Sequence, residues 1–261
     1  MMILALIGLS GCDALNKAQD TLDGLLDPVV VEGIVLGVEA PDNAQLDGLL
    51  AGSDFEAGTS ATVFMADAKE VQEIENAPIS GADVTLNEVA VPEVEPGIYL
   101  MPPAGAALPY ASGDTWDLRI VRTSGDSTGT SIAAVFLPEP ADFSVEIPQQ
   151  HANNTAIPLD FTGLGFDAVL IVVIDDGGNV TYSNEPSGIK ELYDFTHGTA
   201  ELGVITIPPE AFPADGLYAV GVAGMVNTDA VDLEEMNTGL SAILSGMMRM
   251  YPVSTIPLPI P

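Results

Sequence analysis

From residue 29 onward the chain is a succession of short apolar runs: VVVEGIVLGV (29–38), ATVFMA (61–66), ADVTLN (82–87), GIYLM (97–101), TWDLRIVR (115–122), SIAAVFL (131–137) and FSVEI (143–147). These runs are rich in Val, Ile, Thr and aromatic residues and are separated by Gly, Pro, Asp and Ser clusters, which predicts strands joined by turns. In TWDLRIVR, Trp116, Leu118 and Ile120 fall on one face and Asp117 and Arg119 on the other. That is the two-residue period of a strand with one wet side, and it makes Trp116 a core anchor. The segment PEPADFSVEIP (138–148) carries three prolines. Because proline cannot donate to a sheet ladder, it marks an edge or a crossing between domains. The β texture then restarts with AIPLDF (156–161), AVLIVVID (168–175), NVTYS (179–183), LGVITIP (202–208), GLYAVGVAGM (216–225) and a last strand within SGMMRMYPVST (245–255). Between Ile174 and Val180, DDGGN tolerates positive φ and predicts a tight hairpin. The expected fold class is all-β, with two tandem β-sandwich domains over 29–147 and 148–261.

The segment before residue 29 reads differently. Over 13–28, Leu15, Ala18, Leu22, Leu25 and Leu26 form a helical stripe closed by Pro28, so 12–28 is expected to act as a tether. Residues 1–12, MMILALIGLSGC, are almost wholly apolar and stop at the single cysteine of the chain. An apolar run this short is a signal for export rather than a membrane span, which needs roughly twenty residues. Leu9-Ser10-Gly11-Cys12 resembles the lipobox of bacterial lipoproteins. That resemblance implies that 1–11 is a signal peptide and that Cys12 carries diacylglycerol and becomes the new N-terminus. It further implies an exported protein held to a bacterial cell-envelope membrane, on a periplasmic or cell-surface face. No Lys or Arg precedes the run, a departure that a start codon placed too far downstream explains.

Two further resemblances concern the strands. ATVFMADA, ENAPISGADVTLNE and PGIYLMPP are similar to the transthyretin-like or carboxypeptidase regulatory-like repeat, whose domains are non-catalytic; the acidic, proline-bearing connection 88–96 departs from its pattern. The stretch Pro208-Pro209-Glu210-Ala211-Phe212-Pro213 ahead of Asp215-Gly216-Leu217-Tyr218 resembles the loop into the tyrosine-bearing strand of fibronectin type III and related immunoglobulin-like domains. An immunoglobulin-like sandwich is implied over 157–255, with Tyr218, Val220 and Val222 facing the core and Ala219, Gly221 and Ala223 opposite, although the tryptophan usual in the early strands is missing.

Composition narrows what such a protein can do. Of the 261 residues, 38 are acidic and only six basic, giving a net charge of −32. Neutralising nucleic-acid phosphates needs clustered cations, so nucleic acid is excluded as a partner. The same charge repels an anionic bilayer surface, which leaves the acyl chains on Cys12 as the means of membrane attachment. With Cys12 lipidated no thiol remains for a disulfide, and stability must come from packing.

Residues 227–244 form the longest polar insertion, expected as a loop with one helical turn between the last two strands and a candidate binding loop. Asn227, Asp229, Asp232, Glu234 and Glu235 offer oxygen ligands to Ca²⁺. An EF-hand count puts Asp232 where glycine is required, so any calcium there is held otherwise, and a solvated acidic loop is the default. No other cofactor is expected. For catalysis, a Ser-His-Asp hydrolase must use His151 or His197, and no Gly-x-Ser-x-Gly elbow occurs. Ser187-Gly188-Ile189-Lys190 fits Ser-x-x-Lys but lacks the Ser-Asp-Asn and Lys-Thr-Gly partners. Asn153 and Asn179 stand in sequons by pattern alone. The leading expectation is a non-catalytic, lipid-anchored envelope protein that displays β-sandwich domains to another protein or an envelope polymer. A carbohydrate- or calcium-binding module is the alternative, and a hydrolase with an unrecognised site is the third.

Overall fold

The computed structural model describes residues 29–39, 43–51, 55, 57–67, 76–102, 108–123, 129–139, 147–196, 202–228 and 240–257. In chain order the strands are β1 (Val29–Val38), β2 (Gly58–Asp67), β3 (Asp83–Leu86), β4 (Val89–Ala90), β5 (Glu93–Glu95), β6 (Ile98–Met101), β7 (Thr115–Arg122) and β8 (Gly129–Phe136). They continue with β9 (Gln150–Ala152), β10 (Ile157–Asp160), β11 (Ala168–Ile174), β12 (Val180–Ser183), β13 (Val204–Ile207), β14 (Gly216–Thr228) and β15 (Leu240–Ile256). Two short helices, α1 (Ala44–Leu50) and α2 (Ile189–Thr196), interrupt them. The class is all-β sandwich, as the strand periodicity predicts.

A nine-stranded sheet in the order β12-β11-β14-β15-β1-β2-β6-β5, with β9 paired to β15, joins both halves of the described chain. One face of it carries two separate outer layers. The four-stranded sheet β4-β3-β7-β8 covers Val29, Val31 and Val35 of β1 and buries Trp116, Leu118 and Ile120. The pair β10-β13 covers Val169, Ile171 and Val173 of β11 together with Tyr218, Val220 and Val222 of β14. The opposite face gathers Ile34, Leu36 and Val38 with Leu170, Val172, Ala219, Ala223, Leu244 and Met248, and is capped by Leu46 and Leu50 of α1 and Leu192 of α2. Ile147, on the first side of the expected boundary, packs against the core beneath the β10-β13 layer.

The layout departs from two separate sandwiches in tandem, because the halves share their main sheet. Strand β1 lies between β2, antiparallel, and β15, parallel, with Val30 opposite Leu240 and Val38 opposite Met248. The reason is the composition of β1 itself. All ten of its residues are buried, and a strand apolar on both faces needs a layer on each side and a neighbour on each edge. Gly37 belongs to this strand because the Tyr110 ring lies against it: an added Cβ would stand 2.2 Å from the ring's Cδ2.

Local expectations fare variously. β7 alternates buried and exposed from Thr115 to Ile120, with Trp116 4 % exposed. DDGGN makes the β11–β12 hairpin: Asp175 Oδ1 accepts from the Gly177 and Asn179 N–H groups at 2.9 and 2.8 Å, and Gly178 takes φ +78°. Tyr218 Oη donates to the Ala214 carbonyl at 3.1 Å, and its ring meets Phe212 edge-on at 5.4 Å. Ala219 and Ala223, opposite, are buried as well, since the shared sheet is covered on both faces there. In the stretch 61–103, β2 pairs directly with β6 while β3 crosses to the facing sheet, and the connection 88–96 is itself strand at β4 and β5. The last strand begins at Leu240, earlier than expected, and Asn227 lies within β14 rather than in a loop. Of FSVEI only Ile147 is among the described residues.

Candidate functional site

Cys12, Asp229, Asp232, Glu234, Glu235 and His197 lie outside the described residues. Asn227, the described member of the candidate loop, sits near the end of β14, where its backbone N–H donates to Asp167 Oδ2 at 2.7 Å. Its side-chain oxygen is buried and meets no described hydrogen-bond donor. Among the described residues no cluster of three or more His, Cys, Asp or Glu side chains is arranged to hold a metal ion.

The side chains with reactive chemistry that are described serve local structure. The ring nitrogen Nε2 of His151 bonds within the 151–155 turn, 2.7 Å from Thr155 Oγ1 and 2.9 Å from the Thr155 carbonyl, and the ring packs edge-on to Phe212 at 5.3 Å. Ser187 lies just ahead of α2: its hydroxyl and its N–H both donate to Glu191 Oε2, at 2.7 and 2.8 Å, which holds that carboxyl below its ordinary range. Lys190 donates to Asp194 at 2.6 Å along the same helix. The Ser-x-x-Lys pattern thus spans the start of α2. Asn153 Nδ2 donates to Asp215 and Asn179 Nδ2 to Asp175, so both sequon amides are engaged in turns.

One buried acid stands apart. Glu32 is fully enclosed at the middle of β1, on the face covered by α2, between Phe64 of β2 and Ala242 of β15. Thr196 Oγ1 at the end of α2 lies 2.7 Å from its Oε2. Burial pushes the carboxyl up to about 8, with the Thr196 bond acting weakly the other way.

The described surface also contains a cleft of about 240 Å³ where the two ends of the long sheet approach each other. Leu100 of β6 and Pro102 just beyond it form one wall, and Val180 and Ser183 of β12 with Glu185 form the other. Leu36, Ser60, Thr62 and Phe55 complete the lining from β1, β2 and the turn after α1. Because β6 and β12 lie near opposite ends of the strand order, the sheet must curl for both to line one cleft. Leu36 and Phe55 are buried, while Leu100, Val180, Ser183 and Glu185 are exposed at the mouth. No motif in the sequence could have found this site. Its lining is drawn from elements distant in the chain, and only Leu100 and Val180, exposed apolar residues on short strands, hint at it.

What fold and site define is an all-β sandwich protein with a cleft of mixed polarity at the seam of its main sheet. No family model matches the sequence, and no curated protein matches it. Among solved structures, the three N-terminal domains of the bacteriophage RB49 highly immunogenic outer capsid protein are 16 % identical, with 85 % of this chain and 59 % of that one covered and a TM-score of 0.22. Chicken contactin-1 fibronectin domains FN1–FN3 are 11 % identical, with 76 % and 62 % covered and a TM-score of 0.20. The N-terminal four immunoglobulin domains of Dscam1 are 14 % identical, with 90 % and 54 % covered and a TM-score of 0.20. The chain thus spans between half and two thirds of the length of each. With TM-scores of 0.20 to 0.22, the all-β sandwich class rests on the sheets described above.

Proposed function

We propose that this chain is a non-catalytic, exported envelope protein, anchored by lipid on Cys12, whose sandwich scaffold presents a binding surface to another protein or an envelope polymer. The observation that carries the non-catalytic reading is that the described groups a hydrolase would draw on are committed to the scaffold: His151 to Thr155, Ser187 to Glu191 and Lys190 to Asp194. A nucleophile needs its base within hydrogen-bond reach, and here each candidate meets a structural partner instead. The anchor rests on the apolar run ending in Leu9-Ser10-Gly11-Cys12. Sixteen residues, 13–28, separate that cysteine from β1, enough chain for a spacer. The charge of −32 leaves acyl chains rather than a basic patch to hold the protein at a membrane. Metabolic labelling with a fatty-acid analogue tests the anchor. The wild type is expected to be labelled and to fractionate with membranes, and Cys12→Ser to be unlabelled and soluble. An unlabelled wild type, or Cys12→Ser retained in the membrane fraction, would overturn it.

A further inference from the structure

We propose that the cleft between β6 and β12 is a binding site for a small organic cation, an alkylammonium with a compact apolar body. The hydrogen-bonding groups of its lining can all accept: the hydroxyls of Ser60, Thr62 and Ser183 and the carboxylate of Glu185. A primary ammonium brings three donors and no acceptor, the complement of such a set. No described lining residue is cationic, so an anionic ligand would enter with its charge unmatched. A neutral alcohol of the same shape would meet the carboxylate at the mouth without opposite charge to set against it, losing the stronger, charge-assisted bond. The remaining lining is apolar, with Leu36 and Phe55 as a buried floor and Leu100, Pro102 and Val180 as walls, and this takes up a hydrocarbon body. At about 240 Å³ the space is below the usual range for drug-sized ligands, so that body is short. The field of a chain carrying −32 concentrates cations at its surface, which speeds their arrival without distinguishing one from another. Discrimination therefore has to come from the cleft.

This site is independent of lipid on Cys12, and its test separates from that one because it reads binding by the detergent-solubilised full-length chain wherever that chain resides. The probes are n-butylammonium chloride, n-butanol and sodium butyrate, titrated calorimetrically at low ionic strength. Butylammonium is expected to bind saturably at one site, butanol at least about tenfold more weakly, and butyrate without measurable affinity. Glu185→Gln is expected to lower butylammonium affinity about tenfold, Thr62→Val to lower it by a smaller factor, and Asp117→Asn on the exposed face of β7 to leave it unchanged. Equal affinity for butylammonium and butanol would show an apolar pocket with no preference for charge and overturn the proposal. So would an equal response to Glu185→Gln and Asp117→Asn, which would mark diffuse association with the acidic surface, and so would the absence of saturable binding.

Discussion

Replacing Glu32 by Gln is expected to stabilise the protein at neutral pH and to remove most of the pH dependence of its stability between pH 5 and 8. The carboxyl is 0 % exposed, and burial raises it from an ordinary value of 4.5 to about 8. Hydrogen accounting around Thr196 agrees with a neutral acid. The Thr196 hydroxyl has one hydrogen and lies 2.7 Å from Glu32 Oε2 and 3.0 Å from the Tyr193 carbonyl oxygen. If Glu32 is ionised, two acceptors compete for that hydrogen. If it is protonated, its own O–H donates to Thr196, which donates in turn to Tyr193. Between 4.5 and 8 the folded chain then holds a proton that the unfolded chain has lost, so stability falls as pH rises through that window. The slope is about 1.4 kcal/mol per pH unit, and from pH 4.5 to 7 it removes roughly 3 kcal/mol, a large share of a typical domain's stability. Glutamine cannot ionise, and its amide N–H can still donate to Thr196. A variant that matches the wild type near pH 5 should therefore gain about 3 kcal/mol at pH 7.5. Carboxyls held low, such as Asp160 by Thr162 and Glu191 by Ser187, act with the opposite sign and mainly below their ordinary range, outside this window. Urea unfolding at pH 5, 6, 7 and 8 measures both proteins. Parallel wild-type and variant profiles, or a variant weaker by the same amount at every pH, would mean that Glu32 is ionised in the fold and would refute the reasoning.

Two other perturbations have definite signs. Gly37→Ala drives a methyl into the Tyr110 ring and should cost about 1–3 kcal/mol in denaturant unfolding; in a Tyr110→Ala background most of that loss should disappear, and strictly additive losses would count against the contact. Sodium chloride should raise the melting temperature at fixed pH, since shortening the Debye length from about 8 Å toward 3 Å screens the repulsion within a surface at −32, and a flat or falling series would show its carboxylates already well separated or paired.

Most strands were legible because each is marked by its own residues. TWDLRIVR alternates, and β7 covers those eight residues; DDGGN contains the glycines its turn needs. Strand pairing was not legible to the same degree. The run VVVEGIVLGV did carry a clue, because ten nearly unbroken apolar residues suit a strand buried on both faces rather than the first edge of a separate sandwich. Its partner β15 lies two hundred residues away, and nothing local in either strand names the other. The helix α2 had a readable start in Ser187 with Glu191 four residues on, followed by Leu192 and Phe195 at a helical interval. Glu32 was the most informative missed residue: a lone acid inside an apolar run is either solvent-facing or strained in its protonation, and the doubly covered sheet decides for the second.

The direction of β1 relates the proposed anchor to the candidate sites. Strand β1 begins at Val29 beside the start of β15, with Val30 opposite Leu240, and β14 ends nearby with Thr228 opposite Ile243. Thr228 and Leu240 flank the acidic segment carrying Asp229, Asp232, Glu234 and Glu235, so the strand ends leading into that segment share one end of the sheet with the entry of the tether. The cleft belongs to the other end, since Leu36 stands seven residues further along β1, roughly 23 Å at about 3.3 Å per residue. On the proposed lipid anchor, the tether joins the sheet at Val29, the end that Thr228 and Leu240 share. The cleft stands apart from that end of the sheet, lined by Leu36 rather than by the first residues of β1. A ligand in the seam between β6 and β12 is therefore met by residues of β1, β2, β6 and β12 and not by the strand ends that flank the acidic insertion.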